Sequence, residues 1–206
     1  DVEVVQSNLS DNSENAGFVI TIRDITKKKA AENALYHAAY HDYLTDLPNR
    51  RLFEEELEKL VILNGFYKKP LSVLLFSIDQ VKLINESLGH TIVDELLKQF
   101  AYKLGDIVTK ERKVYRIGND DFCFVLSDLK SANEAIEFAK ELLQAIKDER
   151  FNVKGYDLHL TASIGISVMP EDGESMESLL RHATVSRNYA KQQGKNQIQV
   201  YSSSMN

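Results

Sequence analysis

Leu71-Ser72-Val73-Leu74-Leu75-Phe76-Ser77-Ile78 is a nearly unbroken apolar run. A strand with one wet face alternates apolar and polar residues, whereas one covered on both faces need not. The run therefore reads as the central strand of a sheet with helices packed on either side. Its tip departs from the pattern: Ser77 and Asp79 are polar and, two residues apart, share one face.

Outward from that strand, Val81 to Leu88 reads as a short helix broken at Gly89-His90. Ile92, Val93, Leu96, Leu97, Phe100 and Leu104 then recur at helical spacing in a second. Val114 to Ile117 and Phe122 to Leu126 read as strands joined at Gly118-Asn119, residues that tolerate positive φ and so mark a tight hairpin. Upstream, Pro48 keeps Leu44 to Arg50 a loop. Phe53, Leu57, Leu60 and Val61 predict a helix that Asn64-Gly65 stops. Downstream come an amphipathic helix (Ala132, Ala135, Ile136, Ala139, Leu142, Leu143, Ile146) and a strand pair around Phe151–Val153 and Leu158–Met169. A helix from Met176 to Gln193 capped by Gly194 follows, then a closing strand over Asn196 to Tyr201. Strands and helices mostly alternate, which predicts a layered α/β domain (an α+β sandwich). Helices flank a central mixed five-stranded sheet, and the hairpin stands at one end.

The first residues differ in kind. Val2 to Gln6 and Gly17 to Ile25 read as strands around a polar turn, Ser7 to Asn15. Two strands alone are marginal in water, so this piece must lean on something else. Thr26 is a plausible N-cap, and Lys27 to Asp42 is an Ala-rich helix with a weak stripe of Ala31, Ala34, Leu35 and Ala38. It reads as a linker helix, paired across a homodimer. The opening Asp1-Val2-Glu3-Val4-Val5 reads as the middle of a longer protein.

Composition narrows the function classes. At 43% hydrophobic and 27% charged residues, the 206-residue chain is ordinary globular material. A net charge of −6 argues against nucleic acid or an anionic membrane as main partner, although a few local lysines suffice for one triphosphate. No stretch approaches the roughly 20 apolar residues of a membrane helix, and no signal peptide is evident, so a cytoplasmic setting is expected. The single cysteine, Cys123, lies in the apolar run Phe122 to Leu126 and reads as a small buried side chain.

Four segments in order carry a resemblance. They are Asp42-Tyr43-Leu44-Thr45-Asp46-Leu47-Pro48-Asn49-Arg50, Asp79-Gln80-Val81-Lys82-Leu83-Ile84-Asn85-Glu86-Ser87-Leu88-Gly89-His90, Arg116-Ile117-Gly118-Asn119-Asp120-Asp121-Phe122 and Ala190-Lys191-Gln192-Gln193-Gly194-Lys195-Asn196. They resemble the GGDEF family motifs D-x-L-T-x-L-P-N-R, D-x-F-K-x-I-N-D-x-x-G-H, R-x-G-G-D-E-F and A-K-x-x-G-R-N. Gly17 to Thr26 is similar to the last strand of a PAS sensor domain. The tail Tyr201-Ser202-Ser203-Ser204-Met205-Asn206 is similar to the link between GGDEF and EAL domains. The resemblance thus divides the chain into a truncated PAS-like piece (1–26), a signalling helix (27–42), a GGDEF domain (43–201) and the start of a link to a downstream EAL domain (202–206).

The resemblance implies a nucleotidyl-cyclase-like fold that condenses two GTP into cyclic di-GMP with release of pyrophosphate. Mg²⁺ or Mn²⁺ would be held between the strand tip and the hairpin. Metal ligands fall at positions 77 and 120, where Asp120 is present but Ser77 occupies the other. Asp79, on the same face, is the candidate replacement; otherwise it is a loop or capping carboxylate. Asp120, Asp121 and Lys82 fall at catalytic positions, and Asn85 and Asp94 at guanine-reading ones. Gly118, Asn119, Lys191 and Lys195 fall along the rest of the nucleotide, and Arg116 braces either the hairpin or a phosphate.

Several positions depart from the family. Asn119 replaces a glycine, Asp121 a glutamate, and Val93 a glycine beside the pocket. Ala183-Thr184-Val185-Ser186-Arg187-Asn188 stands where the family has A-D-x-A-L-Y, which sets Asn188 at an aromatic core position. Thr109-Lys110-Glu111-Arg112 lacks the R-x-x-D product-inhibition motif. The sequence therefore points to a degenerate GGDEF domain that binds GTP or regulates an adjoining EAL phosphodiesterase. A working diguanylate cyclase and a non-binding dimerisation relay are the alternatives.

Overall fold

The computed structural model describes residues 1–9 and 17–205. Most of the predicted polar turn, and the last residue of the tail, lie outside them. The chain divides into two compact units, Asp1–Ala39 and Tyr40–Asn206. No helix among the described residues is long and apolar enough to cross a membrane.

In the first unit, β1 (Val2–Leu9) pairs antiparallel with β2 (Gly17–Asp24), Val2 opposite Asp24. Helix α1 (Thr26–Tyr40) follows and buries none of its residues. Val2, Val4, Val5, Phe18, Ile20 and Ile22 are at least half exposed.

The second unit is built on β3 (Leu71–Ile78), buried at every position as its sequence requires. It contains α2 (Arg50–Tyr67), α3 (Val81–Leu88), α4 (His90–Gly105), β4 (Arg112–Arg116) and β5 (Asp121–Leu126). These are followed by α5 (Ala132–Asp148), β6 (Arg150–Val153), β7 (Tyr156–His159), β8 (Ala162–Met169), α6 (Met176–Gln192) and β9 (Gln197–Val200). The main sheet has the order β4-β5-β3-β8-β9. Its pairings are antiparallel except for β8 with β9, which makes it the mixed five-stranded sheet that the alternation predicts.

Alternation along β3 splits the core in two. Leu74, Phe76 and Ile78 join Leu96 and Phe100 of α4, Phe122 and Phe124 of β5, and Phe138 of α5. Leu71, Val73 and Leu75 face the other way, with Phe53 and Leu57 of α2, Tyr115, Cys123, and Leu179 and Ala183 of α6. On that second face the fit of α6 onto β8 is close. A Cβ at Gly165 would lie 2.1 Å from the Arg187 backbone nitrogen and 2.2 Å from the Ala183 carbonyl, so only glycine allows this seam.

Three local expectations are corrected. Asn64-Gly65 does not end α2, because Asn64 is buried and its side-chain amide donates to the Leu60 carbonyl; the helix stops at Lys68, whose φ is 53°. The expected strand over Leu158–Met169 is two strands: β7 pairs with β6 in a separate ribbon. Gly118 and Asn119 do not adopt positive φ. Instead the hairpin tip is a four-residue connection (117–120) closed by Asp121, whose carbonyl accepts from the backbone N–H of Ile117 (3.0 Å) and Gly118 (3.2 Å).

Candidate functional site

Both polar neighbourhoods of interest lie at the end of the sheet where β3 stops and the hairpin turns. Register decides how they are divided. Ser77 is the cross-strand partner of Asp121 on one side and of Ser163 on the other. Position 77 therefore faces Asp121, and not Asp120 as expected from the sequence. Asp121 opens β5 whereas Asp120 ends the connection before it, and the two hairpin carboxylates part company.

Asp120 turns into an open groove of about 430 Å³. The groove is walled by Val81, Lys82 and Asn85 of α3, Val93 and Asp94 of α4, and Arg116 and Asn119 of the hairpin. The sequence expectations for Asn85, Asp94, Lys82, Asp120, Asn119 and Arg116 thus converge on one concavity. Asn85 Oδ1 is buried there with no hydrogen-bond donor. Asp94 is exposed and Lys82 leans on Glu86 at 3.8 Å. Val93, where a glycine was expected, is 8% exposed and fills part of the wall.

Arg116 braces the hairpin. Its guanidinium donates to Asp42 Oδ1 (2.6 Å) and to the Asn119 carbonyl (2.7 Å), and its backbone N–H donates to the Pro48 carbonyl (2.9 Å). Asp42 also accepts from the backbone N–H (2.9 Å) and hydroxyl (2.7 Å) of Thr45. Burial opposes ionisation of Asp42, but the Thr45 and Arg116 donors prevail and hold its carboxyl below the usual carboxylate range. Asp42, read from the sequence as the end of the linker helix, belongs structurally to the loop that steadies the hairpin.

The opposite face of the strand tip is closed. Asp79 is 4% exposed. It accepts from Ser163 Oγ (2.7 Å), Thr161 Oγ1 (2.7 Å) and the Asn196 backbone N–H (3.0 Å). It thereby fastens to the central strand the turn that carries Lys195, whose φ is 63°. Asp121 is ion-paired with Arg187 of α6, and Arg187 also donates to Asn188 Oδ1 at 3.1 Å. Ser77 Oγ is buried without a partner.

Mg²⁺ takes an octahedron of hard oxygen ligands, one or two of them carboxylates and the rest waters and substrate phosphates. Here position 77 offers a neutral hydroxyl, Asp79 is committed to three donors, Asp121 to a guanidinium, and Asp120 lies on the other face. The strand tip does not fit that ion.

Gly118, Lys191 and Lys195 are not among the residues lining the groove. Gly118 sits in the tip, where a Cβ would meet Asp121 Cβ at 3.1 Å, and the two lysines end α6 and begin the turn after it. Sequence reasoning missed Arg187. The signal is the departure from A-D-x-A-L-Y, whose other change, Asn188, is exposed rather than at a core position and leaves α6 packed through Leu179, Ala183, Ser186 and Ala190.

Comparison with known proteins agrees with the fold. The family profile described as "Diguanylate cyclase, GGDEF domain" matches residues 39–197. The chain is 32% identical over 197 residues to signaling protein YkoW of Bacillus subtilis, covering 94% of this chain and 24% of that protein. It is 36% identical over 172 residues to cyclic di-GMP phosphodiesterase NbdA of Pseudomonas aeruginosa, covering 84% and 22%. The chain therefore spans about a quarter of the length of these relatives. Among solved structures, the GGDEF domain of TpbB (YfiN) from Pseudomonas aeruginosa superposes with a TM-score of 0.77 at 28% identity, covering 80% of this chain and 96% of that one. The chain belongs to the GGDEF family, the diguanylate cyclase fold of cyclic di-GMP signalling.

Proposed function

We propose that this is a degenerate GGDEF domain that binds a guanine nucleotide and regulates an adjoining EAL phosphodiesterase rather than making cyclic di-GMP. One observation carries the reading: the groove keeps an unpartnered acceptor at Asn85 while the strand tip has lost its free carboxylates. Asn85 Oδ1 accepts from the N–H groups on the guanine edge, with the exposed Asp94 carboxylate beside it on α4. Lys191 and Lys195 attract the phosphates through bulk charge, which needs no fixed geometry. Condensation asks more: a 3′-hydroxyl must be deprotonated and pyrophosphate charge offset. A hard cation supplies both when bound, and the tip does not fit one. Unit boundaries and relatives are consistent with a sensor-derived segment before the domain and a phosphodiesterase after it, one relative being named a cyclic di-GMP phosphodiesterase.

The active-cyclase reading is favoured by one feature, Asp120 standing in the groove with Lys82. Calorimetric titration with GTP, and chromatography of protein incubated with GTP and Mg²⁺, separate the two. Binding with no cyclic di-GMP is expected; accumulation of the dinucleotide overturns the regulatory reading, and no binding at all leaves the relay.

A further inference from the structure

The Arg187–Asp121 pair is more than an ion pair at the end of a helix. The Arg187 backbone is held against Gly165 on β8, while Asp121 is on β5, and β3 runs between them. Strands lie roughly 4.8 Å apart, so the Arg187 and Asp121 side chains together bridge about two strand spacings. It crosses β3 at the level of Ser77, the partner of Asp121. A small side chain at 77 leaves that path open. Arg187 is 9% exposed, and two of its guanidinium nitrogens are used on Asp121 and Asn188.

We infer that the Arg187 guanidinium takes the place of the divalent cation at the strand tip, so that the tip excludes metal and a nucleotide in the neighbouring groove binds metal-free. The second half rests on the groove reading proposed above; the first does not. The charge bookkeeping is local. A divalent ion is usually held through one or two carboxylates, whereas the Asp121 carboxylate at this tip is already paired with one fixed positive charge. Asp79 adds a negative charge, but its oxygens are taken by Ser163, Thr161 and Asn196. An incoming divalent ion meets a guanidinium that cannot lose its proton, and it finds a neutral hydroxyl at position 77.

Mn²⁺ alone, followed by electron paramagnetic resonance, tests the first half without any nucleotide. Wild type and Asp121→Asn should give superimposable Mn²⁺ binding curves. A Mn²⁺ site present in wild type and lost in Asp121→Asn would overturn the inference. The double variant Ser77→Asp/Arg187→Leu, checked for folding by circular dichroism, should gain a Mn²⁺ site at least tenfold tighter than anything in wild type. A folded double variant with no gain counts against it, and an unfolded one leaves the decision to the first pair. For the second half, GTP affinity should agree within twofold in Mg²⁺ and in EDTA, and a tenfold loss in EDTA would overturn metal-free binding. No GTP binding in either buffer would sink the groove reading and leave the Mn²⁺ comparison intact.

Discussion

The two faces of the strand tip have diverged. The groove face retains side chains with unmet bonding capacity: Asn85 Oδ1 lacks a donor, and Asp120 and Lys82 border open space. On the α6 face the carboxylates are committed, Asp79 to three donors and Asp121 to Arg187, and the Gly165 seam is tight, while Ser77 Oγ and Arg187 Nε stay without partners. The difference is in the carboxylates and the space before them: Asp120 borders an open groove, whereas Asp79 and Asp121 are already bound by donors of the fold.

If the α6 face is structural, damage there should appear in stability. Gly165→Ala drives a methyl into two backbone atoms and should cost about 3 kcal/mol, at the top of the usual range for overpacking. In a domain of this size that is about 10 °C in melting temperature, read by calorimetry; a loss under 1 kcal/mol would mean that α6 lifts freely. Asp79→Ala strands the Asn196 N–H and two hydroxyls and should cost about 2 kcal/mol in urea unfolding. No loss would show those donors to be rehydrated.

The groove face should behave in the opposite way. Asn85→Ala should weaken GTP about tenfold, equal to about 1.4 kcal/mol, with the melting temperature unchanged. A change in stability without one in affinity would reverse the assignment of the two faces. The smallest effect is at the brace. The Asp42 carboxyl lies lower in the folded state, so its stabilisation is present above the unfolded value near about 4 and fades as pH falls through the folded one. Asp42→Asn should therefore melt below wild type at pH 7, with the gap closing toward pH 3. A gap that is constant with pH would refute the linkage.

The fold was legible because its signals are local. An eight-residue apolar run such as Leu71–Ile78, bounded by Pro70 and Asp79, is the length of a covered strand, and the periodicities of α4 and α5 repeat often. Groove residues were legible through motif spacing, which held Asn85, Asp94 and Asp120 in order. What escaped was register. Whether position 77 faces Asp120 or Asp121 depends on a single-residue step in pairing, and that step sends every side chain to the other face. Asp79 escaped for a related reason, since its donors Thr161, Ser163 and Asn196 are about eighty or more residues away. The hairpin misled because Gly118-Asn119 permits positive φ without requiring it.

The β1–β2 ribbon has a consequence for exchange kinetics. No side chain of Asp1–Ala39 is buried among the described residues, so parting the two strands exposes almost no new apolar surface, and local opening costs little beyond the ladder bonds themselves. In deuterated water its amides should label within the first time points while those of β3 wait for global unfolding, which would draw the boundary near Tyr40 in units of time rather than distance.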